Sequence, residues 1–176
     1  NIEWTSAVSA NFNAASASNP YRGTTDIEAT TAVSGNNVTL TKPAAGTQDL
    51  STCNSLSFYI RSKAQWPNGN GGGANGLRVL NILWLNGANQ VGTPVVLRDG
   101  VFGFVSSQTS AYQQVFIPIS LFGTASNLIT TLKFQVAGNA GASSIGFYLD
   151  AVTLQCGGGF ITLPSTLMNF KGVWAS

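Results

Sequence analysis

The sequence predicts an all-β fold, an antiparallel β-sandwich. Three observations predict it. Short apolar runs alternate with polar residues at a period of two, turn signals built from Gly, Asn and Asp separate them, and no stretch carries the apolar spacing of an amphipathic helix. Charge is scarce, at 8% of residues against 44% hydrophobic. That balance fits two sheets that bury their inner faces and cover the outside with small polar side chains. The apolar content is enough for a core, so a disordered chain is excluded. A length of 176 residues gives room for one domain plus its ends.

The elements follow in order. Residues 1–23, rich in Asn, Ala and Ser with weak periodicity, read as an N-terminal arm or linker. Strands at 26–33 and 37–41 flank Ser34, Gly35 and Asn36, a hairpin signal. Residues 55–63 alternate cleanly, with Leu56, Phe58 and Ile60 on one side and Tyr59, Arg61 and Lys63 on the other. A glycine-rich loop runs from Trp66 to Gly76. It lacks the Gly-Lys-Ser/Thr ending of a phosphate loop and no helix follows it. Residues 77–85 are apolar on both faces, as in a central strand. Asn86-Gly87 marks a tight turn into a strand at 91–97, and Asp99-Gly100 another into 101–105. Strands at 112–119, 128–136 and 145–154 bring the count to eight to ten. The sandwich therefore spans 24–156, and residues 157–176 read as a Gly-rich linker and the start of a following module.

Composition excludes several classes of function. There is no histidine, which removes Ser-His-Asp and Cys-His catalysis and most zinc, iron and copper sites. The net charge of +2 comes without a basic run, which argues against nucleic acid or an acidic membrane as partner. No apolar stretch approaches the roughly 20 residues that cross a bilayer as a helix. Cys53 and Cys156 belong to no CxxC motif. They are either a disulfide pair or two inert buried thiols. If the strand after Cys53 pairs antiparallel with the strand before Cys156, Leu56 falls opposite approximately Thr153 and the thiols share one end of the pair.

Four segments carry a resemblance: 56–66 (Leu-Ser-Phe-Tyr-Ile-Arg-Ser-Lys-Ala-Gln-Trp), 82–87 (Ile-Leu-Trp-Leu-Asn-Gly), 112–119 (Tyr-Gln-Gln-Val-Phe-Ile-Pro-Ile) and 144–150 (Ser-Ile-Gly-Phe-Tyr-Leu-Asp). Together they resemble the galactose-binding-like jelly roll of many carbohydrate-binding modules. More narrowly they are similar to a domain of tail and fibre proteins of tailed bacteriophages. There the domain often precedes small modules opening with Lys-Gly-x-Trp, as at Lys171, Gly172, Val173 and Trp174. The likeness spans roughly 24–155. It implies an eight-stranded jelly roll, a place in a virion, and glycan recognition; this sandwich hosts many functions.

Two candidate constellations follow. Sandwiches that bind sugar present Trp or Tyr rings to a pyranose, with amides and charged groups on its hydroxyls. Trp66, Trp84, Tyr59, Arg61 and Tyr112 are the candidates, with Asn81 and Gln135 on a concave face. Trp66 leads because turn residues surround it, whereas Trp84 lies in an apolar strand where core packing is the plain reading. Asp26 and Glu28 are two apart on a strand, so their carboxylates share a face, and Asp150 interrupts an apolar strand. The resemblance implies that Glu28 and Asp150, with Asp26 beside them, hold one structural Ca2+. Ala151 departs from the pattern, since many relatives carry a second acidic residue there.

The chain is thus expected to be a non-catalytic virion domain for attachment, binding host-surface glycan or other virion proteins, with a homotrimer suited to a fibre. The alternatives are a carbohydrate-binding module of a secreted bacterial polysaccharide-degrading enzyme, which is an extracellular protein, and a spacer without ligand.

Overall fold

The computed structural model describes residues 5–42, 46–69, 76–123 and 128–157. Its strands are β1 (Thr5–Val8), β2 (Phe12–Ser16), β3 (Asp26–Ala32), β4 (Asn37–Thr41), β5 (Gln48–Asp49), β6 (Cys53–Ser62), β7 (Arg78–Asn86), β8 (Asn89–Leu97), β9 (Gln113–Pro118), β10 (Leu128–Ile129), β11 (Thr131–Gly138) and β12 (Ile145–Cys156). One five-stranded sheet has the order β1-β4-β11-β7-β8 and the other β2-β3-β12-β6-β9, with a small β10-β5 pair beside them. Every strand pairing is antiparallel. The fold is the expected β-sandwich, a jelly roll. Among the described residues no helix is long and apolar enough to cross a membrane.

Parity along each strand decides what the core receives. On β6, Leu56, Phe58 and Ile60 are fully buried, and on β11 Leu132, Phe134 and Val136 are too. Phe58 meets Phe134 edge-on across the two layers at 5.3 Å between ring centroids. Both faces of β7 are covered or nearly so: Leu80, Ile82 and Trp84 are fully buried, and Val79 and Leu83 almost so. This accounts for the apolar run of that strand.

Three local expectations are corrected. The segment read as an arm supplies β1 to one sheet and β2 to the other, through a turn in which Asn11 has φ +70°. These two edge strands raise the expected eight-stranded arrangement to ten strands in the main sheets. The turn at 34–36 does not make a hairpin. β3 pairs with β2 and β12 while β4 pairs with β1 and β11, so the turn carries the chain from one sheet to the other. Residues 101–105 form a turn and not a strand; Phe102 and Gly103 both have positive φ, and the Phe104 N–H donates to the Val101 carbonyl. The hairpin at Asn86-Gly87 forms as expected, joining β7 to β8, with Gly87 at φ +59°. The Lys-Gly-x-Trp stretch at 171–174 lies outside the described residues.

Cys53 opens β6 and Cys156 closes β12. The two face each other in the register and form a disulfide. Leu56 pairs with Leu154, one residue from the expected Thr153, which lies opposite Ser57. The offset arises next to the disulfide, where Asn54 of β6 falls between the Cys53–Cys156 and Ser55–Gln155 pairs and shifts the register by one.

Candidate functional site

The outward face of the second sheet gathers every tyrosine of the chain. The sequence holds four. Tyr59 lies on β6 and Tyr148 on β12; Tyr112 sits just before β9, and Tyr21 lies on the 17–25 segment that links β2 to β3. Alternation on β6 puts Tyr59, Arg61 and Lys63 on this face, and cross-strand register does the rest. Tyr148 pairs with both Glu28 and Arg61, and Asp150 pairs with Tyr59. The residues proposed from sequence as sugar ligands (Tyr59, Arg61, Tyr112) and as metal ligands (Asp26, Glu28, Asp150) thus occupy one surface.

The aromatic contacts are close. Tyr21 stacks on Tyr59 with ring centroids 4.0 Å apart and planes 20° from parallel, and Tyr21 lies 5.3 Å from Tyr112. The Arg61 guanidinium carbon is 4.7 Å from the Tyr148 ring centre and 5.5 Å from that of Tyr112. Arg22 sits 5.8 Å from the Tyr21 ring and 5.9 Å from that of Tyr59. A cation at such distances is attracted by the ring quadrupole. Tyr21 is the most open ring, 42% exposed, while Tyr148 lies buried beneath Arg61 and Lys63. Among the described residues neither Arg22 nor Arg61 forms an ion pair.

Lys63 reaches Glu28 across β12 and donates to its Oε1. It passes over Gly146, where an added Cβ would stand 3.0 Å from the Lys63 Cδ and 2.8 Å from the Thr30 carbonyl. A side chain at 146 would lift the lysine off the sheet.

Electrostatics differ among the three carboxylates. Glu28 is held below the ordinary glutamate range, chiefly by the Lys63 hydrogen bond and then by that from Ser16. Burial pushes the Asp26 carboxyl up, against the opposing hydrogen bond from Tyr112. Burial first, and then the same contact, raise the Tyr112 phenol, whose single O–H is shared between the Asn19 carbonyl at 2.7 Å and Asp26 Oδ2 at 3.1 Å. Tyr59 is raised first by its hydrogen bond with Tyr21.

The calcium expectation meets a poor donor set. Oε2 of Glu28 accepts from the Ser16 hydroxyl at 2.7 Å and the Ser18 hydroxyl at 3.3 Å. Oδ2 of Asp150 accepts the N–H groups of Tyr21 and Arg22, and Oδ1 accepts that of Ala151. A cation needs lone pairs that point at it; here protons occupy those directions. Among the described residues no group of three or more His, Cys, Asp or Glu is arranged to hold a metal. The oxygens of Glu28 and Asp150 are thus engaged by donors within the protein, whereas Asp26 Oδ1 is buried without a hydrogen-bond partner.

Both tryptophans leave the candidate set. Trp66 is 2% exposed and packs against Phe104 at 4.8 Å and Phe147 at 5.6 Å. Its loop lies at the surface, and shallow hollows of about 310 and 520 Å³ flank it, but the ring itself turns inward between the sheets. Trp84 is fully buried against Phe122, in line with the plain reading of its strand. Asn81 and Gln135 face each other on the first sheet, away from Tyr59. Sequence reasoning missed Tyr21, Arg22 and Tyr148 because the first two lie in a supposed linker and the third in an apolar run. The signal available for Tyr21-Arg22 was an aromatic and a guanidinium side by side after Pro20.

No family model and no curated protein matches the sequence. Solved structures do. A family 30 carbohydrate-binding module superposes with a TM-score of 0.53 at 17% identity, over 93% of this chain and 82% of that one. The family 30 module of the cellulosomal cellulase Cel9D-Cel44B of Clostridium thermocellum superposes with a TM-score of 0.51 at 16% identity, over 90% and 94%. SGBP-B from a complex xyloglucan utilization locus in Bacteroides uniformis gives 0.52 at 12% identity, over 88% of this chain and 45% of that one. At these identities the likeness is one of fold, the β-sandwich jelly roll.

Proposed function

We propose that the domain is a non-catalytic carbohydrate-binding module of an extracellular polysaccharide-degrading system, with the tyrosine face of the second sheet as its glycan platform. One observation carries the reading: all four tyrosines, flanked by Arg22 and Arg61, meet on the outer face of a sheet whose inner face is already spent on the core. An exposed ring such as Tyr21 offers a flat apolar surface to the C–H face of a pyranose, and the guanidinium N–H groups suit its hydroxyls. The disulfide supports an oxidising compartment. The superposed family 30 modules and the xyloglucan-locus protein favour the polysaccharide setting, and they lend nothing to a virion.

The test is retardation in gels containing xyloglucan, mixed-linkage glucan, xylan or polygalacturonate, with a glycan array on the oligomerised protein. Binding to at least one glycan is expected, weakened roughly tenfold by Tyr21→Ala, a loss of about 1.4 kcal/mol, at unchanged melting temperature. Failure of every glycan to bind leaves a spacer domain and sinks the proposal, as does a Tyr21→Ala variant that binds like wild type.

A further inference from the structure

The ring that caps the platform belongs to a segment with no strand partner of its own. Residues 17–25 leave β2 and return to β3 across the tyrosine face. Before Pro20, Ser18 is tied to Ser16 and Glu28, and the Asn19 carbonyl accepts from Tyr112. After Pro20 the fastening is Asp150. Its Oδ2 receives the Tyr21 N–H at 2.7 Å and the Arg22 N–H at 2.9 Å, from a residue 129 positions away. Two consecutive amides converging on one anion form the kind of backbone concavity that elsewhere holds a free anion.

β12 is distorted where this carboxylate stands. Asp150 pairs with Tyr59 and Thr153 with Ser57, so two residues of β12 oppose one of β6. That is a bulge. Within it Ala151 has φ +48°, a conformation a residue with a Cβ rarely adopts. The Ala151 N–H turns onto Asp150 Oδ1. Both oxygens of one side chain are thereby engaged, one in the bulge and the other in the loop.

We propose that Asp150 is the positioning residue of the platform: its carboxylate, in place of a metal ion, holds the Tyr21–Arg22 turn so that Tyr21 lies flat on Tyr59. The consequence for glycan affinity rests on the proposed function; the consequence for loop order does not.

The experiment compares wild type, Asp150→Asn and Asp150→Ala by amide hydrogen exchange, near-ultraviolet circular dichroism of the tyrosine pair, and glycan retardation. The Asn variant keeps the size of the side chain and one acceptor, and it serves if the Ala variant fails to fold. Exchange at Tyr21 and Arg22 should quicken at least tenfold while β7 and β11 stay protected, and the tyrosine dichroism should fall. Glycan affinity should drop as far as in Tyr21→Ala, with no further loss in the double variant. EDTA should leave all three readouts of wild type unchanged. Unaltered exchange at 21 and 22, fully additive losses in the double variant, or a rise in melting temperature on adding Ca2+ would each overturn the assignment. If no glycan binds wild type, the platform reading fails, and the exchange rates alone decide whether Asp150 holds the loop.

Discussion

Replacing Cys53 and Cys156 together by serine should remove a large part of the domain's stability. The bridge joins residues 103 apart, and it ties the first residue of β6 to the last of β12, two adjacent strands inside one sheet. The folded ends are held together without it: the two strands pair along most of their length, and the Gly157 N–H donates to the Thr52 carbonyl at 2.7 Å. The native state therefore changes little, and the effect falls on the unfolded chain, which gains freedom when the loop opens. For a closed loop of about 100 residues the chain-entropy relation gives about 4.7 kcal/mol at 25 °C. Domains of this size are stable by roughly 5–15 kcal/mol, so the variant should sit near the margin. With roughly 2–4 °C per kcal/mol, the melting temperature should fall by about 10–20 °C. The assay is thermal unfolding followed by far-ultraviolet circular dichroism at fixed pH, with urea titration beside it. The midpoint in urea should drop, and the slope should hold or rise as the unfolded state expands. A fall of less than about 3 °C with the strand spectrum intact would refute the reasoning, because it would mean the cross-link does not restrict the unfolded chain.

Two further expectations test the packing and the charge pattern. Trp66→Ala and Trp84→Ala should each cost about 3–5 kcal/mol in urea unfolding, because both rings are buried in the core; a Trp66→Ala variant as stable as wild type would show that the ring does not lie between the sheets. Glu28 should supply acid-sensitive stability. Its folded pKa is lowered by Lys63, so its contribution is present above pH 4.5, is on the order of 1 kcal/mol, and is lost as pH falls through the depressed value. Glu28→Gln should be less stable than wild type at pH 7 and match it at pH 2–3 in urea titrations. Asp26 runs the other way: its pKa is raised from 3.8 by burial, so its ionisation costs stability as pH rises through the folded value.

Much of this protein is legible along the chain. The alternation at 55–63 places Leu56, Phe58 and Ile60 in the core and Tyr59, Arg61 and Lys63 outside, because side chains of a strand alternate whatever it pairs with. Asn86-Gly87 specifies its own hairpin for a similarly local reason. Whether Cys53 and Cys156 are bonded, by contrast, depends on whether β6 and β12 are neighbours, which no short window states. Tertiary pairing also decided that 5–8 and 12–16 are strands, since their weak pattern is rescued by β4 and β3. It sent the strands around Gly35 into different sheets, and it turned Trp66 inward although its neighbours in sequence are turn residues. Above all it merged two separate sets of candidates into one face and added Tyr21 and Arg22 to it. Local periodicity determines which side of a strand a residue occupies; which strands lie side by side, and so which residues share a surface, is decided by long-range packing of the whole chain.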